Sequence, residues 1–167
     1  ALSFHYIPSV IKDFSELGLG EAWRNFLSIN SGLLVIAGSY NSGKTTTVAS
    51  LIEELNKTSA KNIITIEDPI EYLFISKKSL VAQRQVGVDV NSAVLALDYC
   101  LSEDVDAVYV NGIKDEEIFK QALPKIFELA SGNCLVILEI NADSSIMALE
   151  KILAGVYSAM PAEAARY

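Results

Sequence analysis

Residues 33–55 read LLVIAGSYNSGKTTTVASLIEEL, and this stretch decides the fold. Leu33–Ala37 is an uninterrupted apolar run, the pattern of a strand covered on both faces. From Lys44 to Asn56, Val48, Leu51, Ile52 and Leu55 recur at helical spacing and share one face. Between the two lies Gly38-Ser39-Tyr40-Asn41-Ser42-Gly43-Lys44-Thr45, with the spacing G-x-x-x-x-G-K-[ST]. An apolar strand, a glycine-rich turn and an amphipathic helix together make that spacing a phosphate cradle. Gly38 and Gly43 permit a tight backbone, so that successive N–H groups wrap phosphate oxygens. Lys44 sets a cation against the outer phosphates, the Thr45 hydroxyl can reach Mg²⁺, and the helix N-terminus adds partial positive charge. The candidate nucleotide-binding residues are Gly38, Ser39, Asn41, Ser42, Gly43, Lys44, Thr45 and Thr46, with Thr45 as metal ligand. The expected cofactors are ATP or ADP with Mg²⁺.

Working outward, strands and helices alternate. Strands are expected at Asn62–Ile66, more weakly at Ser79–Gln85, and at Ala107–Val110 and Cys134–Ile140. Helices are expected at Asn91–Leu101, Asp115–Ala130 and Ser144–Leu153, with Pro124 kinking or splitting the second. Residues 1–32 read as a lead-in packed on the core, with a helix at Glu21–Asn30. Residues 33–167 read as the P-loop domain. Alternation of apolar strands with helices predicts an α/β sandwich around a mainly parallel sheet.

The bulk composition excludes several classes. The chain has 167 residues, 51% of them hydrophobic, enough for one well-filled core and far from a disordered composition. A net charge of −8 argues against a Lys/Arg patch rich enough to bind nucleic acid. The apolar runs are strand-length, too short to insert in a bilayer, and the N-terminus shows no secretion signal. Cys100 and Cys134 read as small buried residues, and one histidine with no CxxC pair argues against a zinc site. These features suggest a cytoplasmic protein.

Three further segments, "IPSVIKDFSELGL", "NIITIEDPIEYLF" and "LVAQRQVGVD", stand in order around the loop. With it they resemble the P-loop domain of the type II/type IV secretion ATPases, most closely the pilus-retraction motors of twitching motility. The resemblance covers nearly the whole chain. It implies a RecA-like P-loop NTPase sandwich of three layers, and an acidic box whose carboxylates act near Mg²⁺ and the attacking water. Glu67 and Asp68 hold that place as catalytic candidates, expected at a strand end facing the phosphates; otherwise they cap the turn before Pro69. It also implies partner subunits in a ring, and a place at the inner membrane face through a pilus or secretion assembly.

Other segments depart from the pattern. The Walker B strand should run into Gly-Glu-x-Arg-Asp, the Glu polarising water; here Asn111-Gly112 stands where Gly-Glu is expected. The His box should read Thr-Leu-His-Thr after its strand, and its histidine falls at Ile140, beside Glu139. Asp98 and Ser102 occupy a helix where the family tends to carry arginines. Glu139 reads as a solvated strand-end acid, with orientation of water as the alternative. Arg84 reads equally as a solvated loop residue or as a contact to a neighbour or a phosphate. A missing general base removes a factor of roughly 10²–10⁴ in rate, while phosphate binding depends mainly on the loop. The expected function is nucleotide binding with weak or absent hydrolysis. An active ATP-hydrolysing motor subunit and an interaction scaffold with an unused loop are the alternatives.

Overall fold

The computed structural model describes residues 10–159 except Phe14, so His5 and the chain ends lie outside the described residues. Among the described residues five strands form one sheet: β1 (Gly32–Gly38), β2 (Asn62–Glu67), β3 (Leu80–Gln85), β4 (Ala107–Val110) and β5 (Leu135–Asn141). Their order is β1-β5-β4-β2-β3, and every pairing is parallel. The helices are α1 (Glu21–Leu27), α2 (Lys44–Thr58), α3 (Ala93–Ser102), α4 (Glu116–Ser131) and α5 (Ser145–Ala159).

Side-chain alternation along each strand divides the apolar residues between two cores. Ile36, Ile63, Ala107, Leu135 and Ile137 pack with Val48, Leu51, Ile52 and Leu55 of α2, and Trp23 and Leu27 of α1 lie against this cluster. Ile64, Val108, Val136 and Leu138 face the other way, toward α3, α4 and α5. The result is three layers, with α1 and α2 on one face and α3 to α5 on the other. The lead-in is also tied by polar contacts, since Ser50 Oγ donates to the Lys12 carbonyl at 2.6 Å and Lys57 pairs with Asp13.

Caps set the helix starts on the far face. Ser92 accepts from the Leu95 N–H at 3.2 Å and Asp115 from the Ile118 N–H at 2.9 Å, each satisfying a first-turn donor. The expected split at Pro124 does not occur, and α4 is helical from Glu116 to Ser131. A proline deletes one helical bond; its neighbours Ala122, Leu123 and Ile126 are fully buried, so packing carries the helix across. Asp98 pairs with Lys125, joining α3 to α4. Cys100 and Cys134 are buried thiols, which burial pushes up to about 11 and about 12. Among the described residues no helix is long and apolar enough to cross a membrane.

Candidate functional site

A cleft of about 1010 Å³ opens at the carboxyl ends of β1, β5 and β4. That is where ligands of open parallel sheets bind. Tyr40 to Thr46 form one wall, and Asp68, Asn111, Gly112, Glu139 and Lys151 contribute to the rest.

The loop has the backbone its glycines foretell. Gly43 has φ 91° and Asn41 φ 61°, both left-handed, and the chain then enters α2 with the Thr47 N–H bonded to the Gly43 carbonyl at 2.9 Å. A Cβ at Gly38 would lie 2.4 Å from Ser42 Oγ, so a larger residue there would displace the Ser42 hydroxyl. The first N–H groups of α2 have no partners within the helix and open toward the cleft. Lys44 is buried and donates to the Ser39 carbonyl at 2.9 Å. Thr46 Oγ1 shares a hydrogen bond of 2.9 Å with Tyr72 OH, while Tyr40 is 84% exposed at the mouth.

The two acidic candidates separate. Asp68 lines the cleft and pairs with Lys114 Nζ at 2.9 Å. Glu67 is buried beneath the cleft rather than facing it, accepting from Thr65 Oγ1 at 2.6 Å and Gln83 Nε2 at 3.1 Å. β2 ends at Glu67, so Glu67 keeps its strand position among Thr65 and Gln83, whereas Asp68 lies just beyond the strand, beside Lys114 at the cleft. Burial pushes the Glu67 carboxyl above its ordinary range, with the Thr65 and Gln83 hydrogen bonds opposing. Its folded form therefore binds protons more readily than the unfolded chain, and this contribution to stability is lost as pH rises from 4.5 through the folded value. Glu67→Gln is expected to flatten that loss, read as the difference in urea midpoints between about pH 5 and about pH 8.

Gln83 and Gln85 fasten the loop after β2. Gln83 accepts from the Phe74 N–H and donates to the Tyr72 carbonyl, and Gln85 accepts from the Ile70 N–H. Arg84 between them points to a separate small pocket with Leu95 and Tyr99, away from the phosphate loop.

Glu139 is not the solvated acid its position suggested. Its side chain is 7% exposed, accepting from Thr45 Oγ1 at 3.1 Å and from Tyr109 OH at 2.7 Å. Burial raises its carboxyl above the ordinary range, and the Tyr109 and Thr45 hydrogen bonds and Lys44 oppose that. Tyr109, whose hydroxyl is pushed up first by burial and then by Glu139, was missed in the sequence. Strand parity could have found it: Thr65, Tyr109 and Glu139 all project from the α2 face. Ile140 points into the opposite core.

At the Walker B position, Gly112 adopts φ 84°, and a Cβ there would lie 2.5 Å from the Asp68 carbonyl oxygen. The site thus pairs a complete phosphate-loop sequence with a backbone-constrained glycine at the position where the resemblance would place a carboxylate. Its donors suit a nucleotide-borne Mg²⁺, which takes one or two protein oxygens and completes its shell with phosphates and water. Among the described residues no cluster of three His, Cys, Asp or Glu side chains could hold a metal alone.

Fold and loop define a P-loop domain of the α/β class. A model of the type II/IV secretion system protein family matches residues 10–151, and the chain belongs to that family. Over 120 residues it is 41% identical to the type IV pilus retraction ATPase PilT of Pseudomonas aeruginosa, covering 72% of this chain and 35% of PilT. It is 31% identical over 147 residues to the type IV pilus ATPase PilU of the same organism, covering 88% of this chain and 37% of PilU. The crystal structure of the pilus retraction motor PilT with bound ADP superposes with a TM-score of 0.81 at 36% identity, over 94% of this chain and 43% of that one. The chain spans less than half the length of each of these relatives.

Proposed function

We propose that this chain is the nucleotide-binding domain of a pilus or secretion motor-like protein, taking ATP or ADP with Mg²⁺ and hydrolysing it slowly or not at all. The observation that carries this reading is the pairing of a complete phosphate loop with Gly112, whose backbone leaves no room for the expected carboxylate. Gly38, Ser39 and Asn41 to Thr46 would hold the phosphates, with Thr45 toward the metal, and Asp68 is the acidic candidate that lines the cleft. PilT was crystallised with ADP, which supports the same ligand class here. The work of such a domain is conformational: nucleotide occupancy sets its assembly state, in a ring with other motor subunits at the cytoplasmic side of the inner membrane.

The test is a calorimetric titration of Mg²⁺-ATP with phosphate release followed on the same sample. Binding is expected, with release no higher than from a Lys44→Ala control. Release that disappears on substituting Asp68 or Glu67 would instead make the chain a hydrolysing motor subunit. No binding at all would leave an interaction scaffold.

A further inference from the structure

Glu139 brings a negative charge against the two loop groups that a polyphosphate uses. Its Oε1 accepts from the Thr45 hydroxyl and lies 3.9 Å from Lys44 Nζ, and the two charged side chains are each 7% exposed. Its Oε2 is held by Tyr109 of β4, and its backbone pairs beside Ile36 of β1. Three elements thus fix this carboxylate in place. It is no substitute for the expected histidine, because Ile140, where that histidine would fall, faces the other core.

A phosphate drawn to Lys44 comes against this carboxylate, and like charges repel more strongly in a partly buried site than in water. Lys44 and Glu139 cancel in formal charge, so the attraction left for a polyanion comes from the loop's N–H groups and the helix N-terminus rather than from the lysine's charge. A divalent cation shared between phosphate oxygens and Glu139 reverses the sign of that contact. Thr45 and Glu139 are too few donors to hold such a cation without phosphate, so cation and nucleotide depend on one another.

We propose that Glu139 is the cation-organising carboxylate of this cleft: it holds Thr45 and Lys44 directly and makes nucleoside triphosphate binding conditional on a divalent cation. This deepens the nucleotide-binding reading and rests on it. The role comes from β5, the strand lying between the loop strand and the Walker B strand, and not from the position that has become Gly112.

The experiment is titration of ATP into the full chain, in excess Mg²⁺ and in EDTA, for wild type and Glu139→Gln, each checked for an unchanged melting temperature. Wild type is expected to lose affinity by about 100-fold or more in EDTA. Glu139→Gln is expected to bind ATP in EDTA at least about 10-fold tighter than wild type does, narrowing the dependence on Mg²⁺. Unchanged or weaker binding by the variant in EDTA overturns the proposal, since a merely structural Glu139 would lower affinity in both buffers. A melting temperature lowered by Glu139→Gln overturns it equally, because it assigns the carboxylate to stability. If neither protein binds in either buffer, the nucleotide-binding reading itself fails.

Discussion

Gly112→Glu, which returns a carboxylate to the Walker B position, will lower the melting temperature by about 6–12 °C and will not raise phosphate release. The cause lies at Cβ and not at the carboxylate. Any Cβ at residue 112 would stand 2.5 Å from the Asp68 carbonyl oxygen, 2.8 Å from its nitrogen and 3.0 Å from its carbonyl carbon. All three are backbone atoms, so no side-chain rotation relieves the overlap. The left-handed φ of 84° adds about 1–2 kcal/mol for any residue with a Cβ. Overpacking typically costs a further 1–3 kcal/mol, giving a loss of roughly 3 kcal/mol. Gly112→Ala should show most of this loss, because it introduces the same Cβ without charge. A Gly112→Glu protein that melts like wild type and releases phosphate would mean that the 68–112 contact yields easily, and the slow-hydrolysis reading would fall with it.

That contact shows where the sequence stops being informative. The loop, its strand and its helix were legible because their signals are local: an apolar run, two glycines at fixed spacing, and a 3.6-residue period. The departure at residue 112 was legible too, as a missing carboxylate. Its rigidity was not, because it depends on two strand ends that the fold brings side by side. Glu139 was misread for the same reason. A single acid at the end of an apolar strand looks solvated until the order β1-β5-β4 sets it between the loop and Tyr109. The separation of Glu67 from Asp68 was not legible either, because it depends on where β2 ends and on Gln83 and Lys114, which the fold brings to the pair. A split at Pro124 was expected because propensity is local, whereas the burial of Leu123 and Ile126 that keeps α4 continuous is tertiary.

Lys44→Ala should weaken Mg²⁺-ATP binding by about 100-fold or more while leaving the fold intact, and a second substitution separates the causes of that loss. Hydrogen bonds to charged groups contribute about 1.5–3 kcal/mol, which accounts for roughly one to two powers of ten in affinity. The remainder comes from what Lys44 leaves behind. Glu139 then keeps its negative charge beside the phosphate site with no cation 3.9 Å away to offset it. In EDTA, where no metal ion offsets that charge, adding Glu139→Gln to Lys44→Ala should therefore recover about 10-fold in ATP affinity, although it restores no phosphate contact. Independent losses would give no such recovery, and the double variant would bind no better than Lys44→Ala. Unchanged binding by Lys44→Ala alone would place the nucleotide away from the loop. Recovery in the double variant would show that loop lysine and strand carboxylate act as one unit, with the lysine masking a charge that otherwise only a metal ion offsets.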